Sequence, residues 1–227
     1  MAQPTHPYYP LSVPLPHYAP NDQPLARVLP LFAGLTGAVV LSAYYLAARS
    51  RHRLRFIDRF AAAWFALSGF LHVFFEGYYI LHHDRIAGMN TFFAQLWKEY
   101  TLSDSRYLTS DLFTVCIETI TVFAWGPLSL LAFLTIISNA SSRHLFQVVI
   151  CMAHLYGVTL YYATNWAESR FHGTYYSRPE FMYFWVYYVG FNAPWAVVPL
   201  VLLRDSYHQI VKAFKALEEK ESQLKRE

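Results

Sequence analysis

Two side chains that can carry protons lie inside one apolar stretch of the sequence. His72 and Glu76 fall within residues 57–81, a segment long enough to cross a membrane. Their spacing of four places them on one face of a helix, one turn apart. An ionised side chain in hydrocarbon costs several kcal/mol, roughly 2.5–3.5 on insertion scales. The pair therefore predicts a functional site that has a partner elsewhere in the chain.

Candidate partners recur at steps of three and four in two further apolar segments. Residues 112–137 carry Glu118, Thr121 and Trp125, and residues 181–203 carry Tyr188, Asn192 and Trp195. Counted from the segment ends, Glu76 and Glu118 are both about 8–9 Å deep at 1.5 Å per residue. We therefore expect the three segments to bring these groups together.

The residue types favour proton addition and removal on an apolar substrate. An apolar environment favours the neutral forms of carboxyl and imidazole groups, so one carboxyl can act as an acid while its neighbour acts as a base. An indole face can stabilise a carbocation. A shift of a carbon–carbon double bond through a cation needs no more than these groups. The spacing leaves open which carboxyl is the acid.

Other chemistries have weaker support in the sequence. It contains no GxGxxG or Walker motif, so we expect no nucleotide cofactor, and no cofactor of another kind is indicated. Cys116 and Cys151 form no CxxC pair and are interpreted as small core residues. A metal site built from His72, Glu76 and Glu118 is a minor alternative, and we predict none.

The composition predicts an all-α integral membrane protein. Of the 227 residues, 55% are hydrophobic and only 15% are charged, against about 25% in ordinary soluble domains. Five apolar segments predict a bundle of five transmembrane helices, at about 28–48, 57–81, 112–137, 145–164 and 181–203. Between the second and third, aromatic and apolar residues at helical spacing predict a short amphipathic helix on the membrane surface. They are Phe92, Phe93, Leu96, Trp97 and Tyr100.

The regions outside the spans predict the orientation. Residues 1–27 hold seven of the twelve prolines and predict an extended arm, and residues 206–227 form a charged tail. Basic residues concentrate in the first loop, at Arg143 and in the tail, so these parts should be cytoplasmic and the N-terminus lumenal. Asn139 begins a glycosylation sequon that should then stay unmodified. The net charge of +3 without a dense basic tract argues against a nucleic-acid partner.

Several stretches of the chain closely resemble the emopamil-binding protein family, the 3β-hydroxysteroid Δ8,Δ7-isomerases. Among them are Gly69-Phe-Leu-His72, Gln95-Leu-Trp-Lys-Glu-Tyr100, Asp104-Ser-Arg-Tyr107, Glu118-Thr-Ile-Thr121, Trp125-Gly-Pro-Leu-Ser-Leu130 and Asn192-Ala-Pro-Trp195. The resemblance runs from residue 6 to about residue 205.

The resemblance implies a multi-pass protein of the endoplasmic reticulum with a membrane-embedded sterol cavity. It implies a sterol substrate whose double bond moves from C8–C9 to C7–C8 without a cofactor, inhibition by cationic amphiphilic amines, and a role in sterol biosynthesis. It leaves homodimer formation open. Asp104, Arg106, Tyr107 and Asp111 match a family stretch that we interpret as structural, holding the lumenal cap.

We assign the site residues as follows. The catalytic candidates are His72, Glu76 and Glu118. Candidates for substrate binding and cation stabilisation are Thr121, Asn192, Trp195, Tyr107, Trp125 and Tyr188. His154 and Tyr161 receive no role. The alternative function is a non-catalytic protein of the same fold that binds or transports sterols or cationic amphiphiles; a membrane scaffold would leave the buried acids unexplained.

Overall fold

The structure, a computed structural model, describes residues 6–226, so the first five residues of the predicted arm lie outside it. Across that range the regular elements are helices, without a strand. The helices are α1 Leu25–Ala48, α2 Phe56–His82, α3 Phe92–Tyr100, α4 Leu112–Ile137, α5 Arg143–His172 and α6 Met182–Leu224. All but α3 are long and apolar enough to cross a membrane, which confirms the predicted all-α fold with five spanning helices.

Two of the spanning helices run well beyond the predicted segments. Helix α5 continues to His172, and Gly173 ends it with a φ of 65°, a left-handed conformation that glycine adopts at little cost. Helix α6 continues to Leu224 because its polar end is rich in lysine, glutamate and alanine, which are good helix formers. The charged tail is thus a helical extension of the last span.

The first loop, the third loop and the start of the tail meet at one end of the bundle. The Ser50 hydroxyl donates to the Ile137 carbonyl at 2.7 Å. Arg55 bridges Asp58 and Asp205, with N–O distances of 2.6 and 2.7 Å. The hydrogen bonds from Arg55 to the Asp58 and Asp205 carboxylates raise the pKa of Arg55 above its ordinary value, against the opposing effect of burial. This arrangement is the one that five spans with alternating loops require.

The arm packs against α3 at the opposite end. Tyr8 is buried, and its hydroxyl donates to the Lys98 carbonyl at 3.1 Å. Asn21 donates to the Gln95 carbonyl at 3.0 Å, and the Lys98 ammonium donates to the Ala19 carbonyl at 2.6 Å. The arm is therefore fixed to the protein by hydrogen bonds rather than held by its tyrosines at the lipid interface.

Helix α3 is part of this cap. Its spacing predicted the helix correctly, but the predicted position on the membrane surface is wrong, since residues 94–98 are all buried. The Trp97 indole donates to the Phe75 carbonyl at 3.0 Å, which joins the cap to α2. The periodicity could not show this because the arm covers the polar face that a surface helix would expose to water.

A buried ion pair joins the cap to α5. Arg106 bonds Asp104 at 2.7 Å and donates to the Thr164 hydroxyl at 3.0 Å. Its guanidinium also lies 5.2 Å from the centre of the Tyr161 ring. Asp111 caps the start of α4 by accepting from two backbone N–H groups. These contacts agree with a structural role for the stretch 104–111.

Candidate functional site

A cavity of about 530 Å³ lies between the helices near the cap. Pockets that bury a small molecule typically measure roughly 300–1,000 Å³. Eight of the nine predicted site residues line this cavity: His72, Glu76, Tyr107, Glu118, Thr121, Trp125, Asn192 and Trp195. Its wall is mostly apolar, so the few polar groups in it stand out. Leu29 of α1 and Phe191 of α6 line it and are also exposed, so the cavity opens between these two helices.

His72 and Glu76 are joined directly. The His72 Nδ1 atom lies 2.8 Å from the Glu76 carboxyl oxygen Oε2, across one turn of α2. That turn, Leu71–Glu76, is π-helical. Single π-helical turns inside α-helices occur frequently at functional sites. The sequence predicted the shared face but contains no signal for the wider turn.

A close contact between helices holds His72 in place. A Cβ atom at Gly126 of α4 would stand 2.8 Å from the Val73 side chain and 3.2 Å from the His72 Cβ. Only a glycine lets the two backbones approach this closely. Gly126 directly follows the second π-helical turn, Thr121–Trp125, so both irregular turns lie at the same crossing of α2 and α4.

Glu118 has a partner from the cap. The Tyr107 hydroxyl donates to the Glu118 oxygen Oε1 at 2.8 Å, and both side chains are buried. Burial, followed by the negative charge of Glu118, raises the pKa of Tyr107 well above its ordinary value. The phenol therefore stays protonated and remains a donor.

The two carboxyl groups share the cavity. Glu118 of α4 and Glu76 of α2 both line it, Glu118 buried and Glu76 partly buried. Two carboxylates in one apolar cavity repel each other, and a proton on either of them relieves that repulsion. The convergence expected from their equal depth is thus present in the structure.

Thr121 and Asn192 line the cavity without holding the acids. The Thr121 hydroxyl donates to the Ile117 carbonyl of its own helix at 2.8 Å. Asn192 donates to the Tyr100 hydroxyl at 3.1 Å and to the Tyr188 carbonyl at 2.8 Å. Among the described residues, the hydrogen bonds of Thr121 and Asn192 go to other groups than Glu76 and Glu118.

Tyr188 is the predicted site residue that the structure places elsewhere. Its side chain does not line the cavity; its ring stacks on Phe184 and packs against Tyr161 and Tyr162. The irregular start of α6, where Met182–Gly190 is π-helical, changes which side chains face inward. Tyr187 faces the cavity instead, so a count based on regular helical spacing selected the wrong residue.

Two tryptophan side chains line the cavity. Trp195 of α6 lines it and packs on Trp64, with ring centres 5.1 Å apart. The Trp195 indole nitrogen is buried and has no hydrogen-bond partner among residues 6–226. Trp125 of α4 also lines the cavity. The cavity therefore contains indole rings as well as the two acids.

Besides Tyr187, sequence reasoning missed several polar residues of the cavity wall, among them His154, Tyr100 and Glu99. His154 of α5 lies with its Nε2 atom 3.1 Å from the His72 Nε2. Tyr100 of α3 accepts from Asn192, and Glu99 accepts from the Tyr187 hydroxyl at 3.0 Å. A histidine in an apolar span was the available signal for His154. The stretch that contains Glu99 and Tyr100 carried part of the family resemblance, but it received no site role because its segment was interpreted as a surface helix.

Comparison with known proteins agrees with this geometry. Residues 92–206 match the sequence model of the EXPERA (EXPanded EBP) superfamily. The chain is 38% identical over 218 residues to the 3-beta-hydroxysteroid-Delta(8),Delta(7)-isomerase of Cavia porcellus, covering 96% of this chain and 94% of that protein. The chain belongs to the EBP family. The isomerase of the same name from Mus musculus is 36% identical over 98% of this chain and 96% of its own length.

The EBP family also contains relatives with different names. Protoglabretal synthase of Citrus sinensis is 36% identical over 171 residues, but the match covers 72% of this chain and 76% of that protein. Another protoglabretal synthase matches this chain over nearly its full length, so neither identity nor coverage alone separates the two kinds of relative. Within residues 6–226, no three His, Cys, Asp or Glu side chains are grouped as a metal ion would require.

Proposed function

We propose that this protein is a sterol Δ8,Δ7-isomerase that moves the double bond from C8–C9 to C7–C8 in sterol biosynthesis. The observation that carries the proposal is that the bonded pair His72 and Glu76 and the buried Glu118 line the wall of one apolar cavity. The near-complete coverage of the mammalian isomerases supports it. The isomerase unit is residues 28–205, between the arm and the tail.

The reaction needs one proton donor and one proton acceptor. The donor, Glu118 or the His72/Glu76 pair, delivers a proton to C9, and the C8–C9 π electrons form the new C9–H bond. A tertiary cation remains at C8. The other group removes a proton from C7, and the electrons of the C7–H bond become the C7–C8 double bond. No electron is gained or lost, so the residues require no redox partner.

The indole rings in the cavity serve the intermediate. Trp195 offers its face to the C8 cation, an attraction worth about 2 kcal/mol or more away from water. The same attraction lets the cavity take up cationic amphiphilic amines, which carry a charge where the intermediate does. Substrate enters from the bilayer between α1 and α6, where Leu29 and Phe191 are exposed at the mouth.

The test is conversion of a Δ8-sterol in a yeast strain that lacks Δ8,Δ7-isomerase. The wild-type chain should restore the Δ7-sterol, and Glu118→Gln should lose nearly all conversion at equal protein level. Glu219→Gln, in the exposed tail, is the matched control and should behave as wild type. If the wild-type chain is well expressed and binds sterol but does not convert it, the proposal of an enzyme is wrong. Such a result would favour a binding or transport protein.

The proposed location is the endoplasmic reticulum membrane, with a lumenal N-terminus and a cytoplasmic C-terminus. The support is the basic first loop, which shares one end of the bundle with the start of the tail. A glycosylation tag placed before residue 1 should be modified in microsomes, whereas the same tag after residue 227 and the native Asn139 should not. Modification of Asn139 would reverse the orientation.

A further inference from the structure

His154 is a buried histidine that the proposed reaction leaves unused. It sits on α5 with 5% of its surface exposed and lines the cavity beside His72. The two Nε2 atoms are 3.1 Å apart, and the rings cross at 63°. Glu76, His72 and His154 thus form a continuous chain of hydrogen bonds across α2 and α5.

The chain of contacts limits where the protons can be. One hydrogen can lie between two ring nitrogens, so one Nε2 donates and the other accepts. If Glu76 is a carboxylate it only accepts, and His72 must carry its hydrogen on Nδ1. A neutral His72 then presents a lone pair at Nε2. His154 must therefore donate a hydrogen bond from its own Nε2–H to this lone pair.

The other nitrogen of His154 agrees with this assignment. Its Nδ1 is buried and has no hydrogen-bond partner in the part of the chain that the structure describes. With the hydrogen on Nε2, this atom is a bare acceptor and no buried N–H is left without a partner. The opposite tautomer would bury an N–H without an acceptor and would also turn His72 away from donating to Glu76.

We propose that His154 is a positioning residue for the isomerisation, which fixes the tautomer of His72 by donating its Nε2–H to the His72 Nε2. His72 is thereby held as the Nδ1–H donor to Glu76. This inference rests on the proposed function for its catalytic consequence, but the tautomer itself does not depend on activity. The structure supports a geometric role, since His154 acts on Glu76 only through His72.

The first experiment measures the tautomer in the wild-type protein. ¹⁵N spectra of histidine-labelled, detergent-solubilised protein, assigned with His72→Gln and His154→Gln, distinguish protonated from bare ring nitrogens. We expect a protonated Nδ1 and a bare Nε2 at His72, and the reverse at His154. A protonated Nε2 at His72 would overturn the inference, whether or not the protein isomerises sterols.

The second experiment uses two matched variants. The amide of His154→Gln can still donate to the His72 Nε2, whereas His154→Phe has similar bulk and no donor. His154→Phe should lower kcat by about 10–100-fold, because it leaves the buried His72 Nε2 without its hydrogen-bond donor. Its KM should change by less than about threefold because uniform binding is retained. His154→Gln should keep kcat close to wild type, and the His72 signals should stay in the wild-type form.

The two variants together separate positioning from packing. Equal loss in both variants would mean that packing of the ring matters and would contradict the proposal. If His154→Phe does not fold, as judged by its unfolding temperature, the comparison of His154→Gln with wild type and the wild-type spectra still decide it. Inactive wild-type protein with the expected tautomer would instead refute the proposed function alone.

Discussion

At the residue scale, Glu76 and Glu118 in the cavity wall each have a dedicated partner. Glu76 is bonded to His72, and Glu118 accepts from Tyr107. Buried polar groups without partners are costly, so these contacts hold the acids in defined rotamers. They also differ in kind, since an imidazole can exchange a proton with its carboxyl whereas the phenol of Tyr107 keeps its own. This difference sets the two acids apart in a cavity that is otherwise apolar.

The phenol at position 107 provides the first prediction. Tyr107→Phe removes the donor to Glu118 and leaves a buried carboxyl oxygen without a partner. A hydrogen bond to a charged group is worth about 1.5–3 kcal/mol, so kcat for a Δ8-sterol should fall by about tenfold to hundredfold. Sterol profiles of membranes with matched protein levels measure the change.

A second tyrosine provides the control for that prediction. Tyr162→Phe removes a hydroxyl that donates to the Val189 carbonyl outside the cavity wall. Conversion by this variant should remain near the wild-type rate. Normal conversion by Tyr107→Phe would show that Glu118 does not need its cap partner.

At the element scale, the site depends on irregular turns at a helix crossing. The π-helical turn of α2 carries His72 and Glu76, and that of α4 carries Thr121 and Trp125. A wider turn changes which side chains point inward and frees backbone carbonyls that a regular helix would bond. The glycine after the second turn allows α2 and α4 to approach at this level. The close approach of α2 and α4 therefore determines where the acids lie to a greater extent than the type of any single residue at the crossing.

Gly126→Ala tests the helix crossing. The added methyl group would stand 2.8 Å from Val73 and 3.2 Å from the His72 Cβ, so α2 and α4 must separate. Overpacking of this kind costs about 1–3 kcal/mol. We expect a lower unfolding temperature in detergent together with a lower kcat. Gly34→Ala is the control, since a Cβ there meets nothing within 4 Å. Activity loss in both variants would point away from the crossing.

The cap element makes a prediction about pH. Lys98 is 1% exposed, and burial lowers its pKa to about 8. In the unfolded chain a lysine keeps its proton up to about pH 10.4. Between these values the unfolded state binds more protons, so stability rises with pH. The cost of burying the charged ammonium is fully present below about pH 8.

The unfolding temperature in detergent between about pH 7.5 and about pH 9.5 measures this effect. The unfolding temperature of the wild type should rise over this pH range relative to that of Lys98→Gln, which has no titratable side chain at position 98. Lys212→Gln, at an exposed position of α6, should keep the wild-type slope. If the unfolding temperature changed with pH in the same way in all three proteins, the group that loses its proton would not be Lys98.

At the scale of the whole molecule, the sequence predicts the spans and most of the site but not the cap. Hydropathy and helical spacing are enough to predict the five helices and eight residues of the cavity wall. Lipid offers the backbone no hydrogen-bond partners, so each apolar spanning segment satisfies its backbone groups within a helix. The burial of α3 depends on the arm, which is distant in sequence and has no periodicity. His154 and Tyr188 were misjudged because tertiary contacts and an irregular turn, rather than spacing, decide which way they face.

The shape of the cavity supports a final prediction at the same scale. Gly157 of α5 lines the cavity, and a Cβ there would meet nothing within 4 Å. We therefore expect Gly157→Leu to extend its side chain from an open Cβ position into the space reserved for the sterol. Glycine in a helix is less stable than other residues by up to about 1 kcal/mol, so the unfolding temperature should stay level or rise.

Sterol conversion by Gly157→Leu should nevertheless fall, with KM raised before kcat is lost, while Gly157→Ala should show a smaller change. Gly34→Leu is the matched control, because Gly34 is equally open but lies outside the cavity wall. If the variant stays stable but no longer converts sterol, the side chain at position 157 blocks the substrate space and does not disturb the packing of the helices. Full activity in Gly157→Leu would mean that the sterol occupies only the part of the cavity near α2 and α4. The proposed entry path from the mouth between α1 and α6 would then be wrong.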